Sequence, residues 1–364
     1  MMMSYIQVQH RLRNIKQKIS GVEVGVVGGY HGGNLGDIAL GTSVTSVLEE
    51  EQIKTGMQTI YNLDKWPKAP YAIVGGGAVG YADSLTRVAE RYKGDFHKVS
   101  LLGVDFNEKS YPEVCLELIR KAAYVSGRSE AQAEKLKTMT GRQDIHFHPD
   151  IAFSLYPDFC EKERAKVRSD KPGKLLVNII PLYGKLINGE IVASDQYKEE
   201  RPALYAAYEQ MHSTYKALVR NVVEKAIADG LTVETIPFTP DDEAFGKSLL
   251  EGLEVKHAKY HADPLRMIKH MATATRVFAT RYHTTIFALK LGIPLYPVAY
   301  AVKNELLFKE LGVKRADFIS SDDLAAGCNP NLETIKVDVD VIKNYEMKSR
   351  AAIVASVKAL KVKV

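Results

Sequence analysis

Arg281 and His283 stand two residues apart where a short apolar run, Arg276 to Thr280, gives way to a helical pattern from Thr284 to Leu291 that Gly292 and Pro294 close. A guanidinium fork binds phosphate or carboxylate through paired hydrogen bonds, and an imidazole exchanges protons near neutral pH. Their position adds to this. In open α/β sheets ligands bind outside the carboxyl ends of the strands, and the N–H groups of a helix start favour anions. The local expectation is an anion site with a titratable group beside it, and with Tyr282 between the two residues in the chain.

Other candidates occupy similar places. The loop Gly29-Tyr-His-Gly-Gly-Asn34-Leu-Gly-Asp37 follows the strand pattern Val22 to Val27 and precedes a helical pattern from about Ile38 to Glu51. Its glycines suit close approach of backbone to a ligand, with Asn34 and Asp37 as ligand contacts or helix caps. The spacing is neither Gly-x-Gly-x-x-Gly nor a P-loop, so neither a dinucleotide nor ATP follows. Gly75-Gly76-Gly77 ends the strand pattern Tyr71 to Val74, and the amides of Gly76 and Gly77 are expected to face a crevice. Arg128 follows the strand pattern Ala123 to Gly127, with Ser129 as the expected N-cap of the next helix. One arginine at such a place is usually a surface ion pair, but one in each half suggests a paired anion clamp. Asp150 ends a further short strand, Ile145 to Phe147. His146 and His148 alternate along that strand without a third ligand, which favours packing over zinc. Asp338-Val-Asp340 precedes the last helix, where acidic residues suit the helix dipole. No metal is expected.

These residues need a scaffold of alternating strands and helices. Apolar runs at Gln58–Leu63 and Val99–Val104 join those above, with helical patterns at Tyr111–Lys121 and Ser129–Thr138 between them. This alternation predicts a parallel sheet covered on both faces. The polar stretch from Pro157 to Lys174 reads as a linker. A second series follows, with strands at Leu175–Pro181, Thr232–Phe238, Arg276–Thr280 and Leu295–Val298, and helices at Tyr208–Asp229, Asp241–Leu250, Pro264–Ala272 and Asn304–Leu311. The expectation is an α/β protein of two doubly wound domains facing a cleft: residues 1–160, a linker at 161–173, residues 174–335, and a tail, 336–364. The tail holds an amphipathic helix, Ile342–Leu360, that packs back toward the first domain.

With 364 residues, two domains are the default. Hydrophobic residues at 46% and charged residues at 26% exclude a disordered or collagen-like chain. A formal net charge of +5 suits an anionic substrate and falls short of a nucleic-acid signature, so no nucleic-acid partner is expected. Three dispersed cysteines, Cys115, Cys160 and Cys328, give neither a disulfide framework nor a zinc knuckle. The first twenty residues are basic (His10, Arg11, Arg13, Lys16, Lys18) without a signal peptide's apolar core, and no apolar run is long enough to span a bilayer. The expected location is cytoplasmic. The basic surface is compatible with peripheral contact at the inner face of a membrane, and the chain is compatible with a homo-oligomer.

Taken in order, Gly36-Asp37, Gly75-Gly76-Gly77, Arg128-Ser129, Pro149-Asp150-Ile-Ala-Phe153, Arg281-Tyr282-His283 with Phe287-Ala-Leu-Lys-Leu-Gly-Ile-Pro294, and Tyr300-Ala-Val-Lys303 resemble the polysaccharide pyruvyltransferase family over residues 22–312. The resemblance implies two Rossmann-like domains in a GT-B-like arrangement. It implies transfer of the enolpyruvyl unit of phosphoenolpyruvate to a saccharide, forming a cyclic pyruvate ketal without a cofactor. It places Arg128, Arg281 and His283 at donor-site and catalytic positions and Lys303 near the donor. The acceptor could be lipid-linked, nucleotide-linked or polymeric. The residues suit this chemistry on their own terms: two arginines and a lysine can hold a phosphate and a carboxylate without metal, and His283 can serve as general acid/base, its helix-start position favouring neutral imidazole. Two other readings remain at this level, a nucleotide-sugar-dependent glycosyltransferase of GT-B type, with Glu305 as a weak ribose contact, and a non-catalytic sugar-binding protein on the same fold.

Overall fold

The computed structural model describes residues 21–362 apart from 107, 167–172, 188–189 and 329–331; the basic segment at residues 10–18 lies outside the described residues. The chain divides into two compact units. One comprises the described residues up to Pro157 together with those from Lys343 onward, and the other is Asp158–Ile342.

In the first unit, β1 (Val24–Gly28), β2 (Thr55–Thr59), β3 (Tyr71–Gly77), β4 (Val99–Val104), β5 (Tyr124–Gly127) and β6 (His146–Phe147) form one sheet in the order β2-β1-β3-β4-β5-β6. Every pairing is parallel. All residues of β1 and β4 are buried, as a sheet covered on both faces requires. The helices α1 (Leu35–Glu50), α2 (Ala82–Arg91), α3 (Glu113–Lys121) and α4 (Glu130–Thr140) alternate with the strands. The run expected as a strand at 58–63 instead ends β2 at Thr59. Ile60 and Leu63, three residues apart, turn into the core through a 3₁₀ segment.

The triple glycine has local reasons. A Cβ on Gly75 would lie 1.9 Å from the Leu102 carbonyl oxygen of the neighbouring strand, while Gly76 and Gly77 have φ of +76° and +87°. From Lys343 onward the carboxyl-terminal helix, Val339–Ala359, supplies the rest of this unit. Ser356 O accepts from Ser100 Oγ at 2.8 Å, Ser349 Oγ donates to Asp150 O at 2.9 Å, and the rings of Tyr345 and Phe153 meet edge to face at 5.2 Å.

The second unit begins within α5 (Pro157–Arg164), in the stretch that reads as a linker. Proline at its first position fits a helix start, Cys160 and Glu163 are buried one turn apart, and Arg164 Nη1 donates to Lys290 O at 2.7 Å. Its sheet has the order β11-β10-β7-β12-β13-β14 with all pairs parallel: β7 (Lys174–Asn178), β10 (Thr232–Thr235), β11 (Lys256–His257), β12 (Arg276–Ala279), β13 (Leu295–Ala299) and β14 (Ile319–Ser320). An antiparallel hairpin, β8 (Gly184–Ile187) and β9 (Glu190–Ala193), leaves the end of β7. The longer helices are α6 (Tyr208–Ala228), α7 (Pro240–Leu249), α8 (Pro264–Met271), α9 (Tyr282–Lys290) and α10 (Val302–Glu310). Met211, Tyr215, Leu218, Val219, Val222 and Val223 form the buried stripe of α6 at three- and four-residue spacing.

Each strand order contains a reversal. In the first unit the chain leaves β1 outward to β2 and then returns to β3, so the switch point lies between β1 and β3. In the second, β7, β10 and β11 run one way and β12, β13 and β14 the other, so it lies between β7 and β12. The crevice above each switch point is where a ligand is expected.

Candidate active site

Arg281 is the N-cap of α9, immediately above the β7/β12 switch point. Its backbone N–H donates to Asn178 Oδ1 at 2.8 Å, and Asn178 Nδ2 donates to Ile236 O at 3.0 Å. The buried Asn178 thus ties the end of β7 to the turn after β10 and to the start of α9. The Arg281 side chain is held as firmly: Nε donates to Asp242 Oδ2 and Nη2 to Asp242 Oδ1, both at 2.6 Å, and Nη2 also reaches Thr239 Oγ1 at 3.2 Å. Asp242 is 1% exposed at its side chain and Arg281 20%. Asp242 Oδ2 also accepts the N–H groups of Phe238 and Thr239, and Thr239 Oγ1 accepts from Asp242 N, a reciprocal cap at the start of α7. Burial pushes the nearby Tyr260 phenol up to about 12, with the Asp242 charge adding to it.

His283 is in the first turn of α9 and 7% exposed, its ring edge-on to Tyr282 with centroids 5.4 Å apart. Lys303, in the first turn of α10 above the adjacent strand β13, puts Nζ 5.3 Å from the Tyr282 ring centroid and 5.5 Å from that of Tyr300. The Tyr300 carbonyl is fixed by Tyr183 Oη and by Ser321 Oγ, the latter at 2.8 Å. The second unit therefore brings Arg281, Tyr282, His283 and Lys303 to the carboxyl ends of two adjacent strands, beside two helix starts. Thr284 and Asn304 occupy the third position of those helices. Thr284 Oγ1 and both amide atoms of Asn304 are buried with no hydrogen-bond partner among the described residues. Burial raises Glu305, Arg315 opposing it.

In the first unit Arg128 leaves the end of β5 and forms ion pairs with Asp105, after β4, and Asp150, after β6. The three side chains are 8%, 12% and 1% exposed. Gln132 links the group, Nε2 donating to Asp105 Oδ1 at 3.1 Å and Oε1 accepting from Arg128 N at 3.1 Å. Ser129 caps α4 as expected, and Asp150 Oδ1 accepts from Ala152 N at 2.9 Å. Below them, Ser126 Oγ lies 2.9 Å from His148 Nε2, and His148 Nδ1 lies 2.8 Å from Pro149 O. Burial holds His148 below its ordinary 6.5, so neutral imidazole bridges hydroxyl and carbonyl. His146 stacks on Tyr124 at 5.1 Å.

The β1/β3 switch point is lined differently. Asn34 caps α1 by accepting from Gly36 N at 3.0 Å. The Asp37 carboxylate spans the crevice: Oδ1 is 3.7 Å from the place of a Cβ on Gly77, and Oδ2 is 3.8 Å from that on Gly29. Tyr61, 55% exposed, is raised by burial and then by Asp37. The structure thus groups Asn34, Asp37, Gly76 and Gly77 in one place and Arg128, Ser129 and Asp150 two strands away. The two arginines, expected as an anion clamp, are each engaged by carboxylates of their own unit. Asn178, Thr239, Asp242, Asp105 and Tyr61 were not singled out from the sequence. Thr239-Pro-Asp-Asp242 carries a capping-box signal that could have found Thr239 and Asp242; the others depend on which strands become neighbours.

Two doubly wound α/β units, one with a basic, histidine-bearing crevice at its switch point, define the class. The sequence profile of the polysaccharide pyruvyl transferase family matches residues 34–301, and the chain belongs to that family. No curated protein matches it. Among solved structures it is similar to UDP-GlcNAc 2-epimerase of Neisseria meningitidis bound to UDP-GlcNAc, with 7% identity, a TM-score of 0.51, and 93% of this chain and 98% of that one covered. An uncharacterized protein of Klebsiella pneumoniae aligns at 15% identity and a TM-score of 0.44, covering 87% and 99%. A trehalose-phosphate synthase of Burkholderia vietnamiensis aligns at 9% identity and a TM-score of 0.36, covering 98% and 72%. The likeness to the epimerase concerns the fold. Among the described residues no helix is long and apolar enough to cross a membrane, and no group of three or more His, Cys, Asp or Glu could hold a metal ion.

Proposed function

We propose that the protein transfers the enolpyruvyl unit of phosphoenolpyruvate to two hydroxyls of a saccharide, releasing phosphate and leaving a cyclic pyruvate ketal. The observation that carries this reading is the meeting of Arg281, His283 and Lys303 at the β7/β12 and β13 strand ends, beside two helix starts, in a chain of this family. Guanidinium, ammonium and helix N–H groups suit a donor with a phosphate and a carboxylate. The methylene carbon takes a proton, one saccharide oxygen bonds to the former enol carbon, phosphate leaves, and the second oxygen closes the ring. Of the two hydroxyl protons, one balances that placed on the methylene carbon and the other leaves with phosphate. His283 is the group assigned to carry protons, a role typically worth about 10²–10⁴-fold. We place this activity in the cytoplasm, at or near the inner face of a membrane.

The test is incubation with phosphoenolpyruvate and a panel of saccharides, reading phosphate release and an acceptor mass gain of pyruvic acid less water. Both should appear together. UDP-N-acetylglucosamine in place of phosphoenolpyruvate tests the nucleotide-sugar reading; glycosyl transfer from it, with no dependence on phosphoenolpyruvate, contradicts the proposal.

A further inference from the structure

We infer that Asp242 is the positioning residue of the donor site, fixing the plane and reach of the Arg281 guanidinium; this rests on the donor reading above. The Asp242 carboxylate is itself fixed by the backbone N–H groups of Phe238 and Thr239, at 3.0 and 3.2 Å, and is 1% exposed at its side chain. It therefore has a set orientation to which the arginine conforms. Both of its oxygens engage the Nε–Nη2 edge of Arg281, and Thr239 Oγ1 takes a further Nη2 contact. Asn178 holds the Arg281 backbone N–H, so the residue is anchored at both ends of its long side chain.

An arginine left to rotate loses conformational freedom when it binds, and an arginine already held does not. Asp242 also offsets the charge of Arg281. Asp242 thus trades general attraction for anions against geometry, which favours a ligand shaped to the fixed guanidinium over anions at large. The opposite possibility, a carboxylate that competes with the donor for the arginine, gives the reverse result in the same experiment.

The experiment is calorimetric titration of the full-length protein with phosphoenolpyruvate, comparing wild type, Asp242→Asn, Asp242→Glu, Arg281→Ala and the double variant Asp242→Asn/Arg281→Ala. Asp263→Ala, which removes an exposed cap of α8, controls for loss of a helix cap. Asp242→Asn is expected to weaken binding tenfold or more. Asp242→Glu, which keeps the charge and shifts it by one methylene, is expected to weaken it too and serves if the Asn variant does not fold. The double variant should bind no more weakly than Arg281→Ala alone, and Asp263→Ala should melt earlier with unchanged affinity. Unchanged or tighter binding in Asp242→Asn, or additive losses in the double variant, overturns the inference. Absence of binding by the wild type overturns the donor reading instead. Phenylglyoxal labelling of Arg281, read by peptide mass, then decides the positioning role separately: faster labelling in Asp242→Asn than in wild type supports it, and an equal rate overturns it.

Discussion

His283 is the side chain assigned to carry protons. Replacement by alanine removes the proton carrier, and turnover should fall about 10²–10⁴-fold while the far-ultraviolet circular dichroism spectrum is kept; full turnover in a folded variant would remove the assignment. Asn304 gives a prediction on stability. Its amide atoms are buried without partners among the described residues, a situation in which a like-shaped apolar group is neutral or stabilising. Asn304→Leu should leave the melting temperature unchanged or raised, and a loss beyond about 1 kcal/mol would show that the amide is bonded. His148 is the residue with a pH signature. Its folded-state pKa lies below the ordinary 6.5, so the unfolded chain binds the proton first as pH falls. The stability tied to it is fully present above about 6.5 and is lost as pH falls through the depressed folded value. Thermal melts from pH 8 to about pH 5 should show a steeper acid-side loss for wild type than for His148→Gln; parallel curves would mean that His148 titrates as it does in the unfolded chain.

Helices and strands put these residues where chemistry can use them, and here the sequence was partly sufficient. Apolar runs marked β1, β3, β4, β5, β7, β12 and β13 because buried parallel strands are nearly continuous in apolar residues. The junction at Arg281 and His283 was legible because Gly292, with φ +61°, ends α9 where a left-handed residue is required. The two-residue strands β6, β11 and β14 are a different matter: two residues carry no period, and of these only β6 could be read, inside a longer apolar run. The carboxylates that hold the two arginines were illegible as partners, since Arg281 and Asp242 are 39 residues apart and meet only when β12 pairs with β7. Thr239 was readable as a cap, and Thr239→Ala should cost about 1 kcal/mol by loss of its cap, measurable by urea denaturation. Gly75→Ala should cost more, about 1–3 kcal/mol, because its Cβ would meet the Leu102 carbonyl at 1.9 Å; a variant as stable as wild type would show that β3 and β4 can separate there.

The whole molecule is two doubly wound units, and the first is completed from the far end of the chain. Ile353 is fully buried in the carboxyl-terminal helix, and Ser349 and Ser356 bond to residues about 200 and 256 positions earlier. Truncation after Ile342 should therefore abolish the melting transition of the first unit, while an unchanged melt would show that the helix is dispensable. What the second unit does with its crevice is tested most directly by the reaction run in deuterium oxide with phosphoenolpyruvate and the saccharide panel. The expected result is phosphate release coupled to a ketal whose methyl group carries one deuteron, with both slowed about 10²–10⁴-fold in His283→Ala. A product that keeps its methylene as an enol ether, or glycosyl transfer without phosphoenolpyruvate, would contradict it.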